Sequence, residues 1–155
     1  MKIQKLLLEI DAKYSDYFVW FIGTGALLGS LILSEVEKFQ PCMLCWWQRI
    51  FMYPIAFIMT VAILRRDKNA FYYVLPLSII GMAIALYHSL LQWGVIRETV
   101  LDCSLNGNVS CTDAQINWFG FITIPFMSFV SFTAINVLIA LRLYMNKKTA
   151  AKQDK

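Results

Sequence analysis

Residues 39–49 read FQPCMLCWWQR. Two thiols, Cys42 and Cys45, stand two residues apart behind Pro41, and Arg49 follows four residues after the second. A second pair, Cys103 and Cys111, is separated by seven residues. Three kinds of chemistry use such residues. The first is stapling. Closing the 42–45 loop would contribute about 2 kcal/mol and closing the 103–111 loop about 2.6 kcal/mol. Each bond would close only its own loop. The second is zinc, with up to four thiolates. Structural zinc pairs keep two to four residues between ligands in both halves, and the C-x7-C spacing does not. The third is redox exchange between the two pairs, for which C-x-x-C is the usual dithiol spacing.

Local physics favours exchange. Proline suits the first position of a helix, where its missing N–H costs nothing. Pro41 in that position would put Cys42 and Cys45 in the first helical turn. There the unpaired N–H groups and the positive end of the dipole stabilise a thiolate. Arg49, at i+4 from Cys45, shares its helical face. An arginine at a membrane interface can simply snorkel to water, but intramembrane charges are functional by default. His88, the only histidine, lies in LYHSLLQWG with Gln92 one turn further on. Its plain alternative is a histidine hydrogen-bonded within a helix bundle.

The elements that must hold these groups are apolar. Of 155 residues 59% are hydrophobic and 15% are charged, against about 25% charged in a soluble domain. Residues 17–34, 71–93 and 118–141 carry no charge, and 46–64 carries only Arg49. Each block approaches or exceeds the roughly 20 residues that cross a hydrocarbon core. The expectation is an all-α integral membrane protein, one domain over 1–155, with four transmembrane helices and outer loops at 35–45 and 94–117. A soluble helical core would show polar faces at helical spacing, which these blocks lack. The first block follows three lysines and three acids with no A-x-A site, so it is expected to be retained.

Basic residues orient the bundle. Lys2, Lys5 and Lys13 precede the first block; Arg65, Arg66 and Lys68 separate the second and third; Arg142, Lys147, Lys148, Lys152 and Lys155 follow the fourth. The other side has Lys38 and Arg97. The positive-inside rule places both termini and the 65–70 loop in the cytoplasm and all four cysteines outside, where disulfides persist. The net charge of +4 is therefore a topology signal, and no nucleic-acid partner is expected. Residues 1–13 carry apolar side chains at i, i+3, i+4 and i+7 and suit either a helix lying flat on the inner leaflet or a frayed tail. The segment 147–155 reads as a disordered basic end.

Taken together, these residues resemble the DsbB family of membrane thiol–quinone oxidoreductases. The resemblance covers most of the chain. It rests on four spans, P-C-x-x-C heading the second, arginine four residues on, a cysteine pair in the last outer loop, and W-F-G-x-x-x-I-P through Trp118, Phe119, Gly120, Ile124 and Pro125. The short 103–111 separation is similar to the BdbC branch of Gram-positive bacteria. The resemblance implies a bacterial cytoplasmic-membrane protein that reoxidises a soluble DsbA- or BdbD-like thiol oxidase. Two electrons would pass to a quinone, menaquinone or ubiquinone. Such a relay keeps the bacterial periplasm oxidising. It also implies roles. Cys103 would take the partner's attack and Cys111 would pass the disulfide to Cys42. Cys45 would face the quinone as a thiolate. Arg49 would support that thiolate and the developing oxyanion, and His88 would handle a proton at the quinone carbonyl. No metal is expected. Two other classes are a vitamin K epoxide reductase-like enzyme, whose C-x-x-C comes late in the chain, and a metal-handling membrane protein using the seven methionines. Those methionines are scattered, as gap-fillers are.

Overall fold

The computed structural model describes residues 2–36, 42–67, 69–96 and 123–153, with side chains at 14–145 within those ranges and at 147. Four helices follow in order: α1 Lys2–Glu35, α2 Met43–Arg65, α3 Ala70–Gln92 and α4 Ile124–Gln153. No strand occurs among the described residues. Stretches of 22 or 23 residues in each helix are long and apolar enough to cross a membrane: Tyr14–Glu35, Met43–Arg65, Ala70–Gln92 and Ile124–Met145. The four expected spans are thus present, each shifted by a few residues at its ends. Residues 118–122 of the expected fourth span lie outside the described residues.

Both chain ends differ from expectation. Residues 2–13 are helical and run without a break into the first span. The segment is neither frayed nor a separate helix. Likewise α4 continues to Gln153, where the sequence reading expected disorder from 147. Alanine, lysine and glutamine, which make up that stretch apart from Thr149, are strong helix formers.

Each helix packs on two neighbours: α1 on α2, α2 on α3, α3 on α4, and α4 back on α1. Val19, Ile55, Met59, Phe71, Val74, Phe132, Ile135 and Ile139 form the shared core. Phe21, Phe57, Leu64 and Leu86 point outward and are exposed. So broad an apolar outer surface suits lipid contact. Small residues let the helices close up, as they do in membrane bundles. A Cβ built on Gly81 of α3 would stand 2.4 Å from the ring of Phe132 on α4, and that ring is fully buried. Gly81→Ala is therefore expected to lower stability by roughly 1–2 kcal/mol through overpacking. Thermal unfolding in detergent reads this, with Gly25→Ala as a silent control because nothing lies within 4 Å of its added Cβ.

The connection between α2 and α3 is short and closed by local bonds. Arg66 adopts φ 55°, and the Asp67 N–H reaches the Ala62 carbonyl at 2.9 Å, the reach of a Schellman-type cap. Near the same end, Arg142 of α4 is ion-paired with Asp16 of α1, and its guanidinium lies 4.2 Å over the Phe71 ring of α3. Arg142 is buried. It ties three helices together and is not the solvated flanking charge the sequence suggested. The opposite end of the bundle, where α2 begins and α3 ends, carries Cys42 and Cys45.

Candidate functional site

α2 starts two residues later than proline placement suggested. Cys42 is the N-cap, with φ −69° and ψ 170°, and its carbonyl accepts the Trp46 N–H at 3.1 Å. Pro41 lies outside the described residues and precedes the cap. Cys45 falls in the first helical turn. This register brings Cys42 Sγ and Cys45 Sγ to 3.3 Å as a dithiol, within roughly an ångström or so of disulfide bonding distance.

The two sulfurs face different surroundings. Cys42 is buried against Leu44 and Leu91. Its hydrogen bond to Cys45, and then its burial, push the Cys42 thiol up to about 12, with His88 pulling the other way. Cys42 is therefore the protonated partner at neutral pH. The expectation that the helix start would favour a thiolate at both positions fails at Cys42. The hydrogen bond to Cys45 and the loss of water outweigh the dipole there. Cys45 accepts that hydrogen bond and is only partly covered.

Behind Cys42 stands His88 of α3, fully buried, with Nε2 3.6 Å from Cys42 Sγ. Its Nδ1 is 3.0 Å from the side-chain amide nitrogen of Gln48 on α2. Gln48 is itself buried. The four side chains form a loop of polar contacts that starts on α2, crosses to α3 and returns to α2. An amide has both donor and acceptor ends and can serve either tautomer of a histidine. Sequence reasoning had placed Gln92 near His88 and passed over Gln48. The signal was there, since Gln48 is a polar residue three positions past Cys45 in an apolar span.

Arg49 is half-buried and donates to the Ser30 carbonyl of α1 at 2.9 Å. Its guanidinium lies 5.7 Å from the centroid of the Trp46 ring. Arg49 and Cys45 line a common cavity of about 220 Å³ between α1, α2 and α4, together with Gln48, Gly29, Met52 and Ser131. His88 is not among the residues lining that cavity. The structure therefore brings Cys42, Cys45, Arg49 and His88 to one end of the bundle, with Cys45 and Arg49 facing the cavity and His88 behind Cys42. Cys103 and Cys111 lie outside the described residues.

A four-span helical bundle that presents a dithiol beside an apolar cavity defines a class, the multi-pass membrane thiol oxidoreductases. The comparisons place the chain within it. Residues 16–142 match the family of the disulfide bond formation protein DsbB. The chain is 42% identical over 129 residues to the probable disulfide formation protein C 1 of Bacillus anthracis, covering 83% of this chain and 91% of the relative. It is 44% identical over 117 residues to the probable disulfide formation protein C of Halalkalibacterium halodurans, covering 75% and 83%. It is 42% identical over 125 residues to the disulfide bond formation protein C of Bacillus subtilis, covering 81% and 89%. No solved structure matches the chain. The chain belongs to the DsbB family of disulfide bond formation proteins.

Proposed function

We propose that the chain reoxidises a soluble thioredoxin-fold thiol oxidase of DsbA or BdbD type outside the bacterial cytoplasmic membrane and passes the two electrons to a membrane quinone. One observation carries this reading: Cys45 and Arg49 line the same cavity, while Cys45 stays in contact with Cys42. The residues fit a quinone head group. At about 220 Å³ the cavity is smaller than the roughly 300–1,000 Å³ of sites that enclose a whole ligand. It suits a ring whose isoprenoid tail remains in lipid. Cys45, Arg49, Gln48 and the serines of α1 and α4 would hold that ring, menaquinone or ubiquinone. When bound, the quinone supplies the two-electron oxidant that returns the dithiol to a disulfide.

The chain's own residues do the rest. The partner's thiolate attacks Cys103 of a Cys103–Cys111 disulfide, and the released Cys111 thiolate attacks Cys42 of the inner disulfide. Cys45 leaves as a thiolate facing the cavity. The partner's second thiol then closes the partner's own disulfide and releases the Cys103 thiolate, which attacks Cys111 of the Cys111–Cys42 bond. Cys42 leaves, takes up a proton and donates to Cys45. Thiol–disulfide exchange needs a stabilised leaving sulfur; the Cys42–Cys45 hydrogen bond holds the Cys45 thiolate only after Cys42 is freed. Arg49 supplies a fixed cation beside the same space. His88 acts on Cys42, holding or accepting its proton, while Gln48 fixes the imidazole. The role at a quinone carbonyl suggested by resemblance is replaced by this one, because His88 sits behind Cys42. The family assignment disfavours the vitamin K epoxide reductase-like and metal-handling alternatives.

The test is quinone reduction by purified protein in bilayer nanodiscs with a reduced thioredoxin-fold partner. Absence of reduction with both ubiquinone and menaquinone analogues would sink the quinone reading. Topology is tested separately. Single-cysteine variants at positions 42, 45, 103 and 111 should label from outside the cell, and one at position 67 only after permeabilisation. Outside labelling at 67 would reverse the orientation drawn from the basic residues.

A further inference from the structure

We propose that the reduced chain binds one thiophilic d10 divalent cation, zinc, between Cys42 Sγ, Cys45 Sγ and His88 Nε2. These three atoms lie within 4.8 Å of one another. In a tetrahedral zinc site the bond lengths of about 2.3 Å to sulfur and 2.0–2.1 Å to nitrogen put two sulfurs about 3.8 Å apart and a sulfur and a nitrogen about 3.6 Å apart. The structure has 3.3 Å between the sulfurs and 3.6 Å between Cys42 Sγ and His88 Nε2. The sulfurs must separate by about half an ångström, within the reach of side-chain rotation.

The donor set fits the chemistry. Two thiolates and an imidazole are the ligands that select zinc over harder cations. Two thiolates balance the charge of a divalent ion, so the filled site is neutral where it is buried, and a buried charge is costly only when uncompensated. Zinc-ligating histidines are oriented by a partner on the other ring nitrogen. Gln48 already occupies that place at 3.0 Å. With its amide oxygen turned toward Nδ1–H, it leaves the Nε2 lone pair for the metal. Cys45 borders the cavity, which leaves the fourth position open to water, as in zinc sites with three protein ligands.

This set differs from the four-cysteine zinc site weighed from the sequence, since it needs neither Cys103 nor Cys111. It is also gated by redox state. Binding displaces two thiol protons and forms two S–Zn bonds; a Cys42–Cys45 disulfide has no thiol to give. On the function proposed above, zinc and the oxidant compete for one dithiol, so zinc arrests the cycle in its reduced state.

The experiment measures metal binding without turnover. The full chain is reduced in nanodiscs and freed of reductant under anaerobic conditions. Zn²⁺ is then titrated against a chromophoric chelator, with Co²⁺ as the spectroscopic probe. The expected result is one ion per reduced chain and a tetrahedral Co²⁺ spectrum, retained in the Cys103→Ser/Cys111→Ser double variant. Binding should vanish in the oxidised wild-type chain, a control that involves no substitution. His88→Ala should weaken binding at least ten-fold, and Gln48→Leu by about ten- to a hundred-fold, as outer-shell partners do. An oxidised chain that binds as tightly as the reduced one, or a His88→Ala chain with unchanged affinity, overturns the site. Because no quinone or partner is present, failure here is distinct from failure of the proposed electron transfer.

Discussion

Cys42→Ser and Cys45→Ser are each expected to bring quinone reduction down to the rate of the uncatalysed mixture. The two sulfurs are 3.3 Å apart and form one redox unit; a hydroxyl at either place cannot form the disulfide. Loss should be complete whichever residue is changed, because members of one chemical unit are not additive. The outer pair should behave differently. Cys103→Ser or Cys111→Ser should stop turnover with the protein partner. A small dithiol that reaches Cys42 directly should still drive some quinone reduction. The comparison uses the same nanodisc assay with partner and with small dithiol in parallel. Full activity with the partner in all four serine variants would leave the cysteines as local staples and end the redox reading. Folding is checked by the unfolding midpoint, which should move little. The main core cluster, with Val19, Ile55, Met59, Phe71 and Phe132, is separate from the cluster around Cys42 and Cys45.

How much of this was legible in the sequence differs between fold and site. Charge-free blocks of about 20 residues dictate helices in lipid, since every backbone group must be satisfied within the segment. The presence of four spans was therefore readable. The Asp16–Arg142 pair was not, because two charges 126 positions apart carry no local signal of contact. At the site, the cysteine pair and Arg49 stood out by type and spacing along a single helix. Placing His88 required knowing which face of α3 meets α2. Apolar spans have too little polar patterning to reveal a face, and so the 3.6 Å approach of His88 Nε2 to Cys42 Sγ was not readable. Gln48 escaped for the same reason: its meaning comes from the histidine across the helix interface.

Arg49→Gln separates a cation that serves the cavity from one that only anchors α2. The structure gives Arg49 two contacts that could anchor α2. It donates to the Ser30 carbonyl of α1, and its guanidinium lies 5.7 Å from the centroid of the Trp46 ring. If those were its whole purpose, glutamine, which also carries an amide donor, would cost mainly folding yield. Lysine, which keeps the charge, would cost little. Arg49 also borders the cavity that Cys45 borders. A cation there lowers the energy of negative charge on Cys45 and on an oxygen held beside it. Losing one charge-assisted hydrogen bond removes about 1.5–3 kcal/mol, or roughly ten- to a hundred-fold in apparent quinone affinity. Quinone KM for Arg49→Gln should therefore rise by about that factor. Arg49→Lys should fall between the two, since it keeps the charge but loses the planar fork. The measurement is steady-state quinone reduction in nanodiscs, with protein normalised by a fixed label. Unchanged KM and kcat in Arg49→Gln would confine Arg49 to its contacts with Ser30 and Trp46, and Cys45 would then need another source of charge stabilisation within the cavity.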